Sequence, residues 1–215
     1  MRLYLSSYRL GNRPEELLRL LPAGRRTALI LNAYDDFGDE QRASSLAREL
    51  SELNDAGLVP EELDLRLFFG RTEELRAALD GFDLVYVRGG NVFVLQRAFR
   101  HSGADAVFTD LLARDLVAYA GYSAGACVLG STLRGIEGEV DDPYAVPAGY
   151  PTAAPSWEGV GVVPFAIAPH FRSDHPESGE IERTVRYFID NHIPFIALRD
   201  GEAIVVDGDH VVVVG

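Results

Sequence analysis

The segment Gly121-Tyr122-Ser123-Ala124-Gly125 has the strongest chemical signature in the chain. It fits G-x-S-x-G, with an apolar strand-like run before it (116–120) and the apolar start of a helix after it (124–129). A nucleophilic serine needs a sharp, strained turn that lifts its Oγ clear of a sheet. Small residues two positions to either side let the neighbouring backbones approach. The following helix aims its first N–H groups at the same point, so the N–H of Ala124 is one expected oxyanion donor. Arg88-Gly89-Gly90-Asn91 follows a second buried-type strand, 84–87. Two glycines there free the backbone to point an N–H toward a bound carbonyl.

A serine nucleophile needs a base, and the chain has five histidines. His101 and His192 fall at helix ends, His175 in a polar loop and His210 beside a turn. His170 instead ends the apolar run 162–168, within Ala168-Pro169-His170-Phe171. That places it at the strand-end edge of the sheet where Ser123 should also sit. His170 is the expected base. The orienting acid should also follow a strand, which makes Asp200 in Leu198-Arg199-Asp200-Gly201-Glu202 the first choice. Glu202, Asp141, Asp142 and Glu137 are rivals. The order Ser, His, Asp differs from the Ser, acid, His of α/β-hydrolases and counts against that fold, unless His210 is the base.

The elements that must position these groups alternate. Strand-like runs at 2–6, 27–33, 63–67, 84–87, 116–120, 162–168 and 194–198 are interleaved with helical patterns at 14–21, 39–55, 72–80, 92–100, 104–114 and 177–191. A hairpin closes the chain, with Asp207-Gly208 between two Val-rich runs. This rhythm predicts an α/β fold, a doubly wound and largely parallel sheet flanked by helices, in one domain over 1–215. Residues 130–158 break the rhythm and read as a long loop excursion, rich in Gly, Pro and acids.

Composition bounds the chemistry further. The 215 residues are 47% hydrophobic and 25% charged, with net charge −13. An acidic chain disfavours nucleic acid and anionic membranes as partners. All 20 basic residues are Arg, which excludes a P-loop lysine, a Schiff-base lysine and a Ser-Lys dyad. The single cysteine, Cys127, rules out an intrachain disulfide and a Cys-rich zinc site. It lies one helical turn past Ser123 and reads as a small buried apolar residue. No apolar run has signal-peptide or membrane-span length, so a soluble cytoplasmic protein is the default expectation.

Four segments together resemble the peptidase E (aspartyl dipeptidase) family, which also includes cyanophycinase. They are Gly-Gly-Asn-Val-Phe (89–93), Gly-Tyr-Ser-Ala-Gly-Ala (121–126), Pro-His-Phe (169–171) and Ile-Ala-Leu-Arg-Asp-Gly (196–201). The resemblance spans nearly the whole chain. It implies a sheet like that of class I glutamine amidotransferases and a Ser–His–acid triad of Ser123, His170 and Asp200, with Asp200 replacing a typical Glu. It places Gly90 on the oxyanion-hole glycine and Asn91 near the substrate's amino end. Such a Ser–His–Asp mechanism requires no metal and no cofactor. Family members bind an N-terminal Asp through an Arg, and Glu182 stands at that position here, with Arg183 one residue later. One residue is about 100° of helix rotation, so Arg183 should point elsewhere, and strict Asp specificity is not expected. Arg172 is a candidate substitute. Glu137, Asp141 or Asp142 in the long loop are candidates to bind the substrate's amine.

The expected activity is hydrolysis of short peptides by a dipeptidase or aminopeptidase, acting as a monomer or homodimer. A cyanophycinase-like hydrolase or an esterase is the enzymatic alternative. A non-catalytic binding protein that keeps the fold is the alternative from another class.

Overall fold

The computed structural model describes residues 1–22 and 24–215. Its centre is a seven-stranded sheet. Five strands run parallel: β1 (Arg2–Ser6), β2 (Arg26–Ile30), β3 (Val59–Glu62), β4 (Leu84–Val87) and β5 (Ala118–Tyr122). A short parallel pair, β6 (Ala166–Ala168) with β7 (Phe195–Ala197), stands apart from this sheet. The hairpin β8 (Ala203–Asp207) and β9 (His210–Val214) adds antiparallel to the edge at β1. The order across the main sheet is β3-β2-β4-β5-β1-β8-β9.

Strand residues alternate between two buried faces. Val85 and Val87 of β4 enter one hydrophobic cluster, while Leu84 and Tyr86 enter the other. A sheet covered on both faces calls for continuous apolar strands, as β4 and β5 have. The covering helices include α1 (Pro14–Leu20), α2 (Asp39–Asp55), α3 (Thr72–Ala78), α4 (Val92–Ser102), α5 (Ala104–Ala113) and α7 (Ser178–Asp190). A four-residue α6 (Ala124–Cys127) follows β5. Pro14 takes the first position of α1, where its missing N–H costs nothing. Gly103 ends α4 in the left-handed region at φ 78°.

Two strand expectations need correction. The chain is extended at Val59–Glu62, and Leu65–Phe68 is a 3-10 turn instead of a strand. Asp64 causes this, since its side chain caps Arg66 N while Asn32 Oδ1 takes Leu65 N at 3.1 Å. The run 162–168 is extended only over its last three residues. Val160 and Val163 instead donate to Val128 O and Leu129 O, tying this stretch to the chain after α6. The strand before His170 therefore belongs to the small β6–β7 pair and not to the main sheet.

Residues 130–158 form no helix or strand but are fixed in place. The buried Arg97 donates to Ala153 O at 2.6 Å and to Pro143 O at 3.1 Å, and Trp157 packs edge-on against Phe93. No helix among the described residues is long and apolar enough to cross a membrane.

Candidate active site

The parallel register brings three strand ends together. Ser6 pairs with Tyr122 across β1 and β5, and Val87 pairs with Gly121 across β4 and β5. The residues just past these ends, Ser7-Tyr8, Arg88-Gly89-Gly90 and Ser123, therefore meet at one edge.

Ser123 sits at φ 50° and ψ −119°, a conformation that L-residues rarely adopt. The surroundings hold it there. Its N–H is shared between Ser6 O and Ser7 O at 3.2 Å each, and its carbonyl accepts from Ala126 and Cys127. The neighbouring glycines have no room for a side chain. A Cβ on Gly125 would strike Val87 O, and one on Gly89 would lie 2.8 Å from Ser123 Cβ. Gly90 stands at φ +142° against Ala33 O, which again admits only glycine. Ala124 is the first residue of α6, so its N–H has no intrahelical acceptor.

His170 and Asp200 arrive from the turns after β6 and β7. His170 Nδ1 lies 2.7 Å from Asp200 Oδ1. A carboxylate only accepts, so Nδ1 carries the proton and Nε2 is left as the basic nitrogen. Burial pulls the His170 pKa below its ordinary value, the hydrogen bond that Nδ1–H donates to Asp200 opposes this, and His175 adds to the lowering. Ser7 joins the two residues from behind. Its Oγ accepts from His170 N at 2.7 Å and donates to Asp200 Oδ1 at 2.8 Å. The rival Glu202 instead caps its own turn by accepting from Arg199 N at 2.7 Å.

Ser123, His170 and Gly90 line one cleft of about 230 Å³. Its walls also carry two cations, Arg48 and Arg88, and one carboxylate, Glu177. Burial pushes the Glu177 carboxyl up, while His175 works against it. The His175 ring stacks on His170 with centroids 3.7 Å apart and planes 6° from parallel. Donor atoms of His170, His175 and Glu177 all lie within 4.8 Å of one another. Stacked rings direct their in-plane lone pairs side by side, whereas a tetrahedral ion needs them to converge.

The remaining sequence candidates sit outside this cleft. Asn91 is the N-cap of α4, its Oδ1 accepting from Phe93 N and Val94 N and its amide bonded to Asp36 and to Asp142 O. Asp141 Oδ1 accepts from Val92 N at 2.6 Å, and desolvation pushes its carboxyl up to about 8. Glu137 accepts from Gly135 N on the surface. Arg172 Nε is 3.0 Å from Glu182 Oε1, both side chains being largely exposed. Conversely, sequence reasoning missed Ser7, Arg48, Arg88, His175 and Glu177 as neighbours of the site. The position of Ser7 just past the first strand was the one available signal.

The model of peptidase family S51 matches residues 38–214. The chain belongs to peptidase family S51. Peptidase E of Streptomyces coelicolor is 34% identical over 200 residues, covering 91% of this chain and 73% of that protein. A Drosophila melanogaster protein named probable alpha-aspartyl dipeptidase is 30% identical over 150 residues, 67% of this chain and 57% of its own length. Peptidase E of Escherichia coli O1:K1 is 32% identical over 139 residues, 62% of this chain and 56% of its own length. Solved structures agree on the fold. A Listeria monocytogenes EGD-e protein provisionally assigned to peptidase E superposes with TM-score 0.78 at 22% identity, over 99% of this chain and 97% of that one. A peptidase from an acI-B1 Actinobacterium gives TM-score 0.70 at 17% identity, over 100% and 87%. S51 membership makes this chain a peptidase, with the sheet architecture of those neighbours.

Proposed function

We propose that this S51 peptidase is a serine dipeptidase or aminopeptidase that uses Ser123, His170 and Asp200, with residues 1–215 acting as one catalytic domain. The observation that carries the reading is the His170–Asp200 pair at 2.7 Å, opening on the same cleft as a serine held in a strained elbow. Ser123 Oγ attacks the first peptide carbonyl while His170 Nε2 takes its proton. Asp200 holds the tautomer and stabilises the imidazolium. The N–H groups of Gly90 and Ala124 receive the oxyanion, and His170 returns the proton to the leaving amine. Water then repeats the attack on the acyl-serine. Glu177, the one carboxylate on the cleft wall among the described residues, is the partner for the substrate's free amine.

Hydrolysis of a dipeptide panel by wild type and Ser123→Ala tests this. The expected loss is at least about a thousandfold, the scale seen when a serine nucleophile is removed. Equal cleavage by both proteins would overturn the assignment.

A further inference from the structure

One part of the cleft takes no part in this mechanism. Arg88 lies beside the expected oxyanion glycine, and its side chain is only 9% exposed. The guanidinium carbon sits 3.8 Å from the centroid of the Tyr34 ring, and Nη1 donates to Gly89 O. Nε is 3.4 Å from Glu49 Oε1 but has no hydrogen-bond partner. Arg48 reaches the same wall from α2, its Nη2 3.2 Å from the same Glu49 oxygen. Glu49 is fully buried and also accepts from Tyr122 OH at 2.7 Å. Two guanidinium groups thus share one carboxylate, so Arg48, Arg88 and Glu49 together carry a net positive charge on the side of the cleft away from Glu177's loop. A buried cation without a full partner is costly and favours an incoming anion, and a guanidinium fork matches a carboxylate.

Placement suggests which carboxylate. Glu177 and His175 lie on the loop that follows His170, whereas Arg48 and Arg88 come from α2 and the end of β4. A peptide bound with its amine at Glu177 and its first carbonyl at Ser123 sends its other end toward the arginines. Two residues span roughly 7 Å when extended, and the cleft of about 230 Å³ is smaller than typical drug-sized sites. Beyond Arg48 the surface opens into a shallow polar groove lined by Glu40, Gln41, Ser44 and Ser45. We infer that Arg48 and Arg88 form a carboxylate subsite that holds the free C-terminal carboxylate of a dipeptide. The enzyme would then cut two-residue substrates in preference to longer ones. This rests on the peptidase reading above.

The experiment compares four substrates: a neutral dipeptide, its C-terminal amide, an N-terminal-Asp dipeptide amide and a tripeptide. Wild type, Arg88→Gln and Arg48→Gln are assayed, with melting curves to confirm folding; Arg48 is half exposed, so its variant remains informative if Arg88→Gln does not fold. Amidation should lower wild-type kcat/KM roughly 10- to 100-fold, the scale of a charge-assisted hydrogen-bond pair. Each variant should shrink that ratio, mainly through KM. Equal cleavage of acid and amide, or a ratio unchanged in Arg48→Gln, overturns the proposal. An Asp-containing amide cleaved as well as the free dipeptide assigns the subsite to an acidic side chain and overturns the C-terminal assignment. Calorimetric binding of dipeptide and amide to Ser123→Ala reads the subsite without catalysis. If wild type cleaves nothing yet this binding difference stands, the peptidase reading fails and the subsite does not.

Discussion

Ser7→Ala is the most informative single change to the hydrogen-bond network behind the site. Ser7 is fully buried and does not line the cleft. Its hydroxyl donates to Asp200 Oδ1 at 2.8 Å and accepts the backbone N–H of His170 at 2.7 Å. His170 itself sits at φ 58°, a region that costs a non-glycine residue about 1 kcal/mol or more. The substitution deletes a bond to a charged acceptor, worth about 1.5–3 kcal/mol, and leaves a buried N–H without its acceptor. If the whole of the first contribution goes into orienting Asp200 and His170, kcat should fall roughly 10- to 100-fold, since about 1.4 kcal/mol is one factor of ten. KM should barely move, because the lost interaction acts on the reacting groups and not on bound substrate. Ser7→Thr keeps the Oγ and should recover most of the rate. The assay is steady-state dipeptide hydrolysis alongside thermal melting. A Ser7→Ala enzyme with kcat within twofold of wild type would refute the reasoning, because Asp200 would then be held without it.

Three further outcomes follow from the environments of other buried groups. Burial lowers the His170 pKa and the base works neutral, so kcat/KM should rise with pH along a limb centred below about 6.5 and then level off; a limb centred above 7 contradicts the assignment. The Asp141 carboxyl, pushed up to about 8 by desolvation, lies above its unfolded value of about 3.9, so its contribution to stability is full below about pH 4 and is lost as pH rises toward 8. Between pH 5 and 8 the wild-type Tm should therefore fall relative to Asp141→Asn, whose amide can still accept from Val92 N; parallel Tm curves would count against this. Cys127 is buried, its thiol pKa well above normal, so iodoacetamide at pH 7.5 should leave activity intact, and rapid inactivation would show that the thiol is reachable.

Much of the fold, and the strained elbow at Ser123, could be read from sequence because the constraints there are local. Gly121 and Gly125 are needed within five residues of each other, and each strand of the parallel core declares itself by an apolar run. His170 and Asp200 were legible as polar residues just past such runs, although the strands before them pair only with each other. Ser7 was legible only as a polar residue just past the first strand. Its role depends on β1 lying beside β5, a pairing across more than a hundred residues that no local pattern encodes. Asn91 and Asp141 show a second constraint that the local pattern does not display. Both stand near the site in sequence, but the free N–H groups at the start of α4 claim their oxygens first. A polar residue at a helix N-terminus meets an unsatisfied donor before it can meet a substrate.

Substrate choice shows the same limit from another side. On the family resemblance Glu182 replaces the Asp-binding Arg, a loss of one cation, and in the structure Glu182 engages Arg172 outside the cleft. Position-by-position reading registers that loss. It does not register cations supplied from elsewhere in the chain, because Arg48 and Arg88 come together only once α2 packs beside the end of β4 around the buried Glu49. Net charge on the cleft wall is thus a property of the fold, and the two arginines, rather than the altered helix position, are where a carboxylate preference should be sought.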